Sequence, residues 1–291
     1  MSCKIVPIPE AAAKAGLLNL VFCEDFETDK AIDFSGKGEP GYSFYANTRR
    51  GAPQLIQSQA EMRKSVLHLR PGVARESASL CTYSNNSRCG YRMHFGYIEA
   101  HIRVDCPLGR HNHWPKFWGA GKDIEENDLP AHRAELVVVE FNDPLDKGRS
   151  RSRGKDMIYA GTLHDLFVYK EDEKVKHRLC TNVVNSTGYN DQFRYVDTDW
   201  HTYGALWEPG HVAWYMDNEL MHSVRFAGGS LPQYYHRDDP HPLPRIEETF
   251  PNRHFDVWEG AHTVTDRETM AFSLGCHRYW TMDIDWVRAW E

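Results

Sequence analysis

Short segments in which apolar and polar residues alternate recur along the chain. The segment YIEAHIRV (97–104) places four apolar residues on one face of a strand: Ile98, Ala100, Ile102 and Val104. Polar or amphipathic residues occupy the other face, and this period of two is typical of a half-buried antiparallel strand. The segment MDIDWVRAW (282–290) is equally strand-like.

A hairpin is predicted in HVAWYMDNELMHSVRF (211–226), where Asp217 and Asn218 form the two-residue turn between strand-like arms. The best helical candidate, EAAAKAGLL (10–18), is short. Three segments rich in charge, proline or histidine are predicted loops: 121–133, 143–156 and 231–254. Many short strands separated by turn residues indicate an all-β sandwich of two sheets.

Composition excludes some classes of partner. All-β domains often reach 291 residues as one unit. The 34 basic and 41 acidic residues give a net charge of −7, which argues against nucleic acid or an anionic membrane as the main partner. No stretch approaches the roughly 20 apolar residues of a membrane span. The N-terminal sequence lacks a signal-peptide pattern. The protein is therefore cytoplasmic, is exported by another route, or has lost a leader and is extracellular or periplasmic.

Cysteines and histidines form no clear disulfide or metal pattern. Seven cysteines without a CxxC pair do not predict a disulfide framework or a zinc ribbon, although one bridge such as Cys81–Cys89 stays open. His111 and His113 would share a face of a strand, as metal ligands do. No third ligand stands at a suitable spacing, which argues against a metal site. A metal-dependent hydrolase is therefore only the third hypothesis.

The segment AELVVVEFND (134–143) carries Glu135 and Glu140 at the two ends of an apolar run. An ionised carboxylate is costly to bury, so an edge strand with two solvated glutamates is one interpretation. The two residues would face opposite sides of a regular strand, but a β-bulge between them restores a common face. The carboxyl groups could then lie about 5–5.5 Å apart, the spacing of retaining glycosidases.

Aromatic and basic residues flank this strand. Aromatics make up 12% of the chain, and Trp114 and Trp118 precede the glutamates in HNHWPKFWGAG (111–121). Indole faces can stack on sugar rings, and the alternative for these tryptophans is core packing. A basic run after the strand either binds sulfate or carboxylate groups of an anionic polysaccharide or forms a solvated loop. The run consists of Lys147, Arg149, Arg151, Arg153 and Lys155.

Five segments resemble, in order, the landmarks of glycoside hydrolase family 16, which includes laminarinases, lichenases, agarases and carrageenases. They are FGYIEAHIRV, WPKFW, ELVVVE, WHTYGALWEPGHVAWYMDNEL and MDIDWVRAW. The family's usual counterparts are YGYFEARIKV, WPAFW, EIDIVE, FHTYGLEWTPDRIRWYVDG and MYVDYVRVY. LVFCEDFE (20–27) also resembles the family's first strand, so the likeness extends over residues 20–290.

The resemblance implies an all-β, concanavalin A-like β-jelly roll of two curved antiparallel sheets, with a substrate groove on the concave face. It implies one catalytic domain over residues 1–291, in which 1–19 form an N-terminal extension. The implied activity is endo-acting hydrolysis of a β-linked polysaccharide with retention of configuration. Glu135 would be the nucleophile and Glu140 the acid/base, with no catalytic cofactor. We expect a monomer.

One residue departs from the family pattern ExDxxE, because Val137 stands at the position of the aspartate. That aspartate orients the nucleophile and adds negative charge between the two acids, which raises the pKa of a neighbouring carboxyl. Two outcomes are open: an active enzyme with an altered pH profile, or a lectin-like protein that binds carbohydrate without cleaving it.

Three further residues are candidates for binding. His164 stands where family members often have a histidine that faces the groove, so it either contacts a sugar or is structural. Asn142 either bonds a sugar hydroxyl or makes a turn. Asp285 matches an aspartate that in many members helps to hold a structural calcium ion, and Ca²⁺ needs six or more oxygen ligands.

Overall fold

The computed structural model describes most of the chain. Its described residues are 6–46, 55, 57–71, 77–105, 115–121, 131–142, 157–171, 174–183, 195–196, 199–226, 246–250, 253–256, 265–267, 269–277 and 280–291. A single α-helix, α1 (Glu10–Lys14), and 3-10 turns at Gln57–Gln59 and Thr265–Arg267 accompany the strands of this part of the chain. No helix within these ranges is long and apolar enough to cross a membrane.

The strands are numbered in chain order. The first eleven are β1 (Leu20–Glu24), β2 (Ile32–Asp33), β3 (Phe44–Tyr45), β4 (Ala60–Arg63), β5 (Val66–Leu69), β6 (Ser77–Cys81), β7 (Tyr83–Ser84), β8 (Cys89–Gly90), β9 (Gly96–Asp105), β10 (Lys116–Gly121) and β11 (Ala131–Asn142). The others are β12 (Met157–Glu171), β13 (Lys174–Val183), β14 (Tyr195–Val196), β15 (His201–Glu208), β16 (His211–Met216), β17 (Glu219–Phe226), β18 (Ile246–Phe250), β19 (Arg253–Asp256), β20 (Met270–His277) and β21 (Thr281–Trp290).

Two large sheets contain nearly all of these strands. Sheet A has the spatial order β19-β18-β17-β16-β15-β9-β21-β5-β4, with β1 also paired to β21. Sheet B has the order β13-β12-β11-β10-β20-β6-β3-β2, with β14 also paired to β12. The long strands pair antiparallel, and the short β2–β3 pair is parallel. The fold is an all-β jelly-roll sandwich of two large sheets, which confirms the predicted fold class.

The main core draws apolar side chains from both sheets. In β9 the alternation predicted from the sequence is present, because the residues at 98, 100, 102 and 104 are buried in this core. The opposite face of β9 is less exposed than its polar residues suggest. Helix α1 covers part of that face, where Ala12 packs with Tyr97 and Trp290. The sequence pattern did not show this second layer of burial.

Several local predictions can be compared with the structure. Asp217 and Asn218 have φ angles of 50° and 66°, as a type I′ hairpin turn between β16 and β17 requires, so the predicted hairpin is confirmed.

The helix ends earlier than the segment 10–18, before Gly16 with its φ of 77°. The segment 231–254 was wrongly predicted to be loop throughout, since it includes β18 and the start of β19. These strands extend sheet A through backbone pairing, which needs no apolar alternation.

Two cysteine findings bear on the bridge that the sequence left open. Cys81 and Cys89 are free thiols, so no bridge joins them. Cys23 is disulfide-bonded.

A buried carboxyl group on β9 makes stability depend on pH. Glu99 is 4% exposed, and burial raises the pKa of its carboxyl from 4.5 to about 7. The Tyr97 hydroxyl donates a 3.1 Å hydrogen bond to it and Arg288 attracts its charge, but both effects are smaller than that of burial. Because the folded protein holds this proton more tightly than the unfolded chain does, the resulting stability is present below pH 4.5 and is lost as the pH rises through 7.

We therefore predict that Glu99→Gln changes the pH dependence of the free energy of unfolding. Relative to wild type, the variant should gain roughly 2–3 kcal/mol between pH 4.5 and pH 8, because glutamine carries no charge to bury. Urea unfolding across this pH range measures the difference. The exposed Glu61→Gln is the control, and parallel curves for wild type and Glu99→Gln would contradict the prediction.

Candidate functional site

Strand β11 carries both candidate glutamates and has an irregularity between them. Phe117 and Trp118, which are consecutive in β10, pair with Val139 and Val137, which are two residues apart in β11. The register toward β12 shifts in the same stretch. An extra residue in one strand of an antiparallel pair is a β-bulge. The bulge predicted from the spacing of the glutamates is therefore present.

The bulge puts the two glutamates on the same face of sheet B. Val138, at the bulge, belongs to the core, and so do two residues of β11 on each side of it: Ala134, Leu136, Val139 and Phe141. Glu135 lies between the first two and Glu140 between the last two, so both side chains point away from the core. Glu135 is buried with 7% exposure, whereas Glu140 is half-buried.

Strand β10 contributes a charged and an aromatic side chain to this face. Its Phe117 is buried in the core, so Lys116 and Trp118 point the other way, alongside the glutamates. We call this face of sheet B, which carries Glu135, Val137, Glu140, Lys116 and Trp118, the site face.

A lysine contacts the proposed nucleophile directly. The Lys116 Nζ lies 2.7 Å from Oε1 of Glu135, and the lysine side chain is 23% exposed. The same Nζ lies 4.3 Å from the centre of the Trp118 ring, within cation–π range. Lys116 was not predicted from the sequence. The signal was in the motif WPKFW, where lysine stands in place of the family's usual alanine.

Trp118 is half-buried and lies outside the described core. Its ring packs against the backbone of Gly275 in β20, where an added Cβ would come within 2.9 Å of two ring carbons. Glycine at this position therefore lets the indole lie close to the sheet. Core packing was the alternative for this tryptophan, and sugar stacking stays a prediction.

The bulge is supported from the core side by a residue of the other sheet. The indole N–H of Trp214 in β16 donates a 2.8 Å hydrogen bond to the carbonyl oxygen of Val137. The indole also lies against Gly161 of β12, where a Cβ would come within 2.2 Å of the ring. A bulge disrupts the local ladder of backbone hydrogen bonds. The indole gives a carbonyl in this stretch a donor from the opposite sheet.

A buried histidine lies on the Trp214 ring. The ring of His222 is parallel to it within 7°, with the ring centres 4.2 Å apart. Burial lowers the pKa of His222 to about 3, so this stack is neutral at ordinary pH. The stacked rings of Trp214 and His222, which support the bulge, therefore introduce no charge beneath the site face.

Two of the other predicted site residues lie on described strands. His164 is the register partner of Glu135 on β12, and Asn142 pairs with Ile158 at the end of β11. Several predicted residues lie outside the described residues. These are His111, His113, Trp114, Lys147, Arg149, Arg151, Arg153 and Lys155.

Asp285 lies on β21 of sheet A, and its Oδ2 is 3.1 Å from Nδ1 of His101. In the described part of the chain, no group of three or more histidine, cysteine or acidic residues is arranged to hold a metal ion. The calcium site at Asp285 stays a prediction.

A cavity of about 310 Å³ lies on sheet A, between Arg70, Arg103 and Asp283. Asp283 is already engaged, because each arginine donates a 2.6 Å hydrogen bond to it. Burial opposes ionisation of Asp283, but the hydrogen bonds from Arg103, Arg70 and His68 together hold the pKa of this carboxyl below its usual value. The cavity is bordered by a self-paired ion network on a different sheet from the glutamates, so it is not part of the candidate site.

No protein-family model matches the chain, and no curated protein sequence matches it. Similar solved structures include a κ-carrageenase from Pseudoalteromonas carrageenovora in complex with an oligotetrasaccharide of κ-carrageenan (16% identity, TM-score 0.48, 92% of each chain covered). Others are the laminarinase catalytic domain from Thermotoga maritima MSB8 (17% identity, TM-score 0.49, 94% of this chain and 98% of that one) and an endo-β-1,3-glucanase from Pyrococcus furiosus (16% identity, TM-score 0.48, 94% of each).

We predict that Trp214→Phe destabilises the protein more than the same substitution at Trp280. Both tryptophans are buried, but the Trp280 N–H has no acceptor among the described residues. Both variants lose the same ring volume, and phenylalanine keeps an aromatic ring to lie against His222, so the difference reports chiefly the bond to the Val137 carbonyl. The loss at Trp214 should exceed the control by about 1–3 kcal/mol of unfolding free energy, measured in urea. Equal losses would show that the bond does not support the bulge.

Proposed function

We propose that this protein is a retaining endo-glycoside hydrolase that cleaves internal β-linkages of a polysaccharide. The observation that carries this proposal is the bulge in β11, which places Glu135 and Glu140 on one face of the sheet. Two carboxyl groups on one face are the minimum that double displacement at a sugar carbon requires.

The different surroundings of the two glutamates support different roles. Glu135 is nearly buried, which suits a nucleophile that must attack the anomeric carbon from one fixed position. Glu140 is half-buried and accessible to water. It suits the residue that donates a proton to the leaving oxygen and then takes one from the incoming water.

The remaining candidates complete the proposed groove. Trp114 and Trp118 would stack on sugar rings, and His164 and Asn142 would contact hydroxyl groups near the point of cleavage. Arg149 and Arg151 would bind acidic groups of a substrate that carries them. The chemistry needs no cofactor, and a calcium ion at Asp285 would be structural.

A lectin-like carbohydrate-binding protein is the second candidate, and two observations favour it. Val137 is an apolar residue on the site face between the glutamates, and Lys116 holds one oxygen of Glu135. A nucleophile that stays paired with an ammonium attacks less readily, so binding without cleavage is the alternative outcome for this site.

The two functions differ in a direct assay. Wild type should release new reducing ends from one or more polysaccharides in a panel of neutral and anionic β-glucans and galactans between pH 4 and 9. Glu135→Gln and Glu140→Gln should each lower the rate by at least ~10²-fold, because each removes a group that takes part in bond cleavage. Glu61→Gln is the control, because it removes the same charge from an exposed residue outside the site.

Unchanged rates in both site variants would refute the two-glutamate mechanism. Binding of a polysaccharide by wild type without any product would instead support the lectin-like function.

A further inference from the structure

The ammonium of Lys116 contacts both groups that a sugar would contact in the proposed site. It lies between the Glu135 carboxylate, at 2.7 Å, and the Trp118 ring, whose centre is 4.3 Å away. A sugar that stacks on this indole and presents its anomeric carbon to Glu135 must therefore contact Lys116 or displace it. The lysine side chain is 23% exposed, so a ligand can reach it.

The charges on this part of the site face are unusual for a two-carboxylate site. Along β10 and between Ala134 and Phe141 of β11, the charged side chains are those of Lys116, Glu135 and Glu140. Val137, the position between the two acids, contributes no charge. The position between the two acids therefore adds no carboxylate to repel an anionic ligand, and Lys116 is a cation that such a ligand can contact.

The chemical group that a ligand presents to Lys116 decides which sugar binds more tightly. A ligand that draws the ammonium away from Glu135 removes a charge-assisted hydrogen bond, and these bonds are roughly twice as strong as neutral ones. A sugar hydroxyl replaces that bond only in part. A carboxylate or sulfate group replaces it with a bond of the same kind, so acidic sugars lose less on binding than neutral sugars do.

We propose that Lys116 is a specificity-determining residue that selects a sugar with an acidic substituent at the position over Trp118 and beside Glu135. The substituent is an anionic oxygen group, either the carboxylate of a uronic acid or a sulfate ester. This inference rests on the proposed function, because it assigns the substrate class of the same site. It depends on a different residue, and it can fail while the two-glutamate mechanism stands.

A binding experiment tests the selection without turnover. The protein is Glu135→Gln, which silences the proposed reaction and removes the anionic partner of Lys116. The probes are β-1,3- and β-1,4-linked gluco- and galacto-oligosaccharides, each prepared in neutral, C6-oxidised and sulfated form. Calorimetry at low salt measures the ratio of acidic to neutral affinity for each backbone. The oxidised and sulfated arms show which anionic group is preferred.

For an oligosaccharide that binds, Glu135→Gln should bind its acidic form at least about tenfold more tightly than its neutral form. The ratio of acidic to neutral affinity should fall close to one in Glu135→Gln/Lys116→Gln and recover in Glu135→Gln/Lys116→Arg. Adding Val137→Asp to Glu135→Gln should lower this ratio, because the new carboxylate repels an acidic sugar. Lys14→Gln is the control, because it removes an equal charge from helix α1, where Lys14 pairs with Glu10. Thermal unfolding confirms that each variant is folded.

Equal ratios with and without Lys116 would overturn this inference. If wild type also cleaved a neutral polymer of the panel and depended on Glu135 for it, the proposed function would still stand. Absence of binding by every oligosaccharide, together with absence of cleavage, would overturn both proposals.

Discussion

The bulge in β11 is the constraint on which the candidate site depends. On a regular strand, residues five apart face opposite sides, and one of the two glutamates would point into the apolar core. One extra residue removes that conflict and puts both carboxylates on the site face. Trp214, from the opposite sheet, donates its N–H to the Val137 carbonyl, and Gly161 leaves room for its ring. Packing between the sheets and the geometry of the site are therefore linked through one side chain.

The second determinant is the charge beside the nucleophile. Position 137 is apolar, and a charged neighbour of Glu135 comes from the next strand, where Lys116 contacts it at 2.7 Å. A cation at this point has two consequences. It fixes the orientation of a nearly buried carboxylate, and it places a hydrogen-bond donor next to the indole of Trp118. The reaction and the choice of sugar would then depend on the same contact.

The sequence predicted the features that depend on local patterns. Period-two alternation identified β9 and β21, the Asp217-Asn218 turn identified a hairpin, and the spacing of the two glutamates predicted a bulge that the structure contains. Contacts between distant segments were not predictable in this way. The lysine of WPKFW can be noticed in the sequence, but its ion pair with Glu135 depends on strand register, and the hydrogen bond from Trp214 depends on packing between sheets. The strand β18 was missed because its sequence adjoins a proline-rich stretch and follows no apolar alternation.

The stereochemistry of the first product tests the central claim most directly. If the bulge brings Glu135 and Glu140 close enough for double displacement, proton NMR during the first minutes of hydrolysis should show a product with the β configuration of the cleaved bond. That anomer should appear before mutarotation produces the other one. A first product of inverted configuration would mean that the two carboxyl groups activate water across a wider gap, and it would contradict double displacement by Glu135 and Glu140.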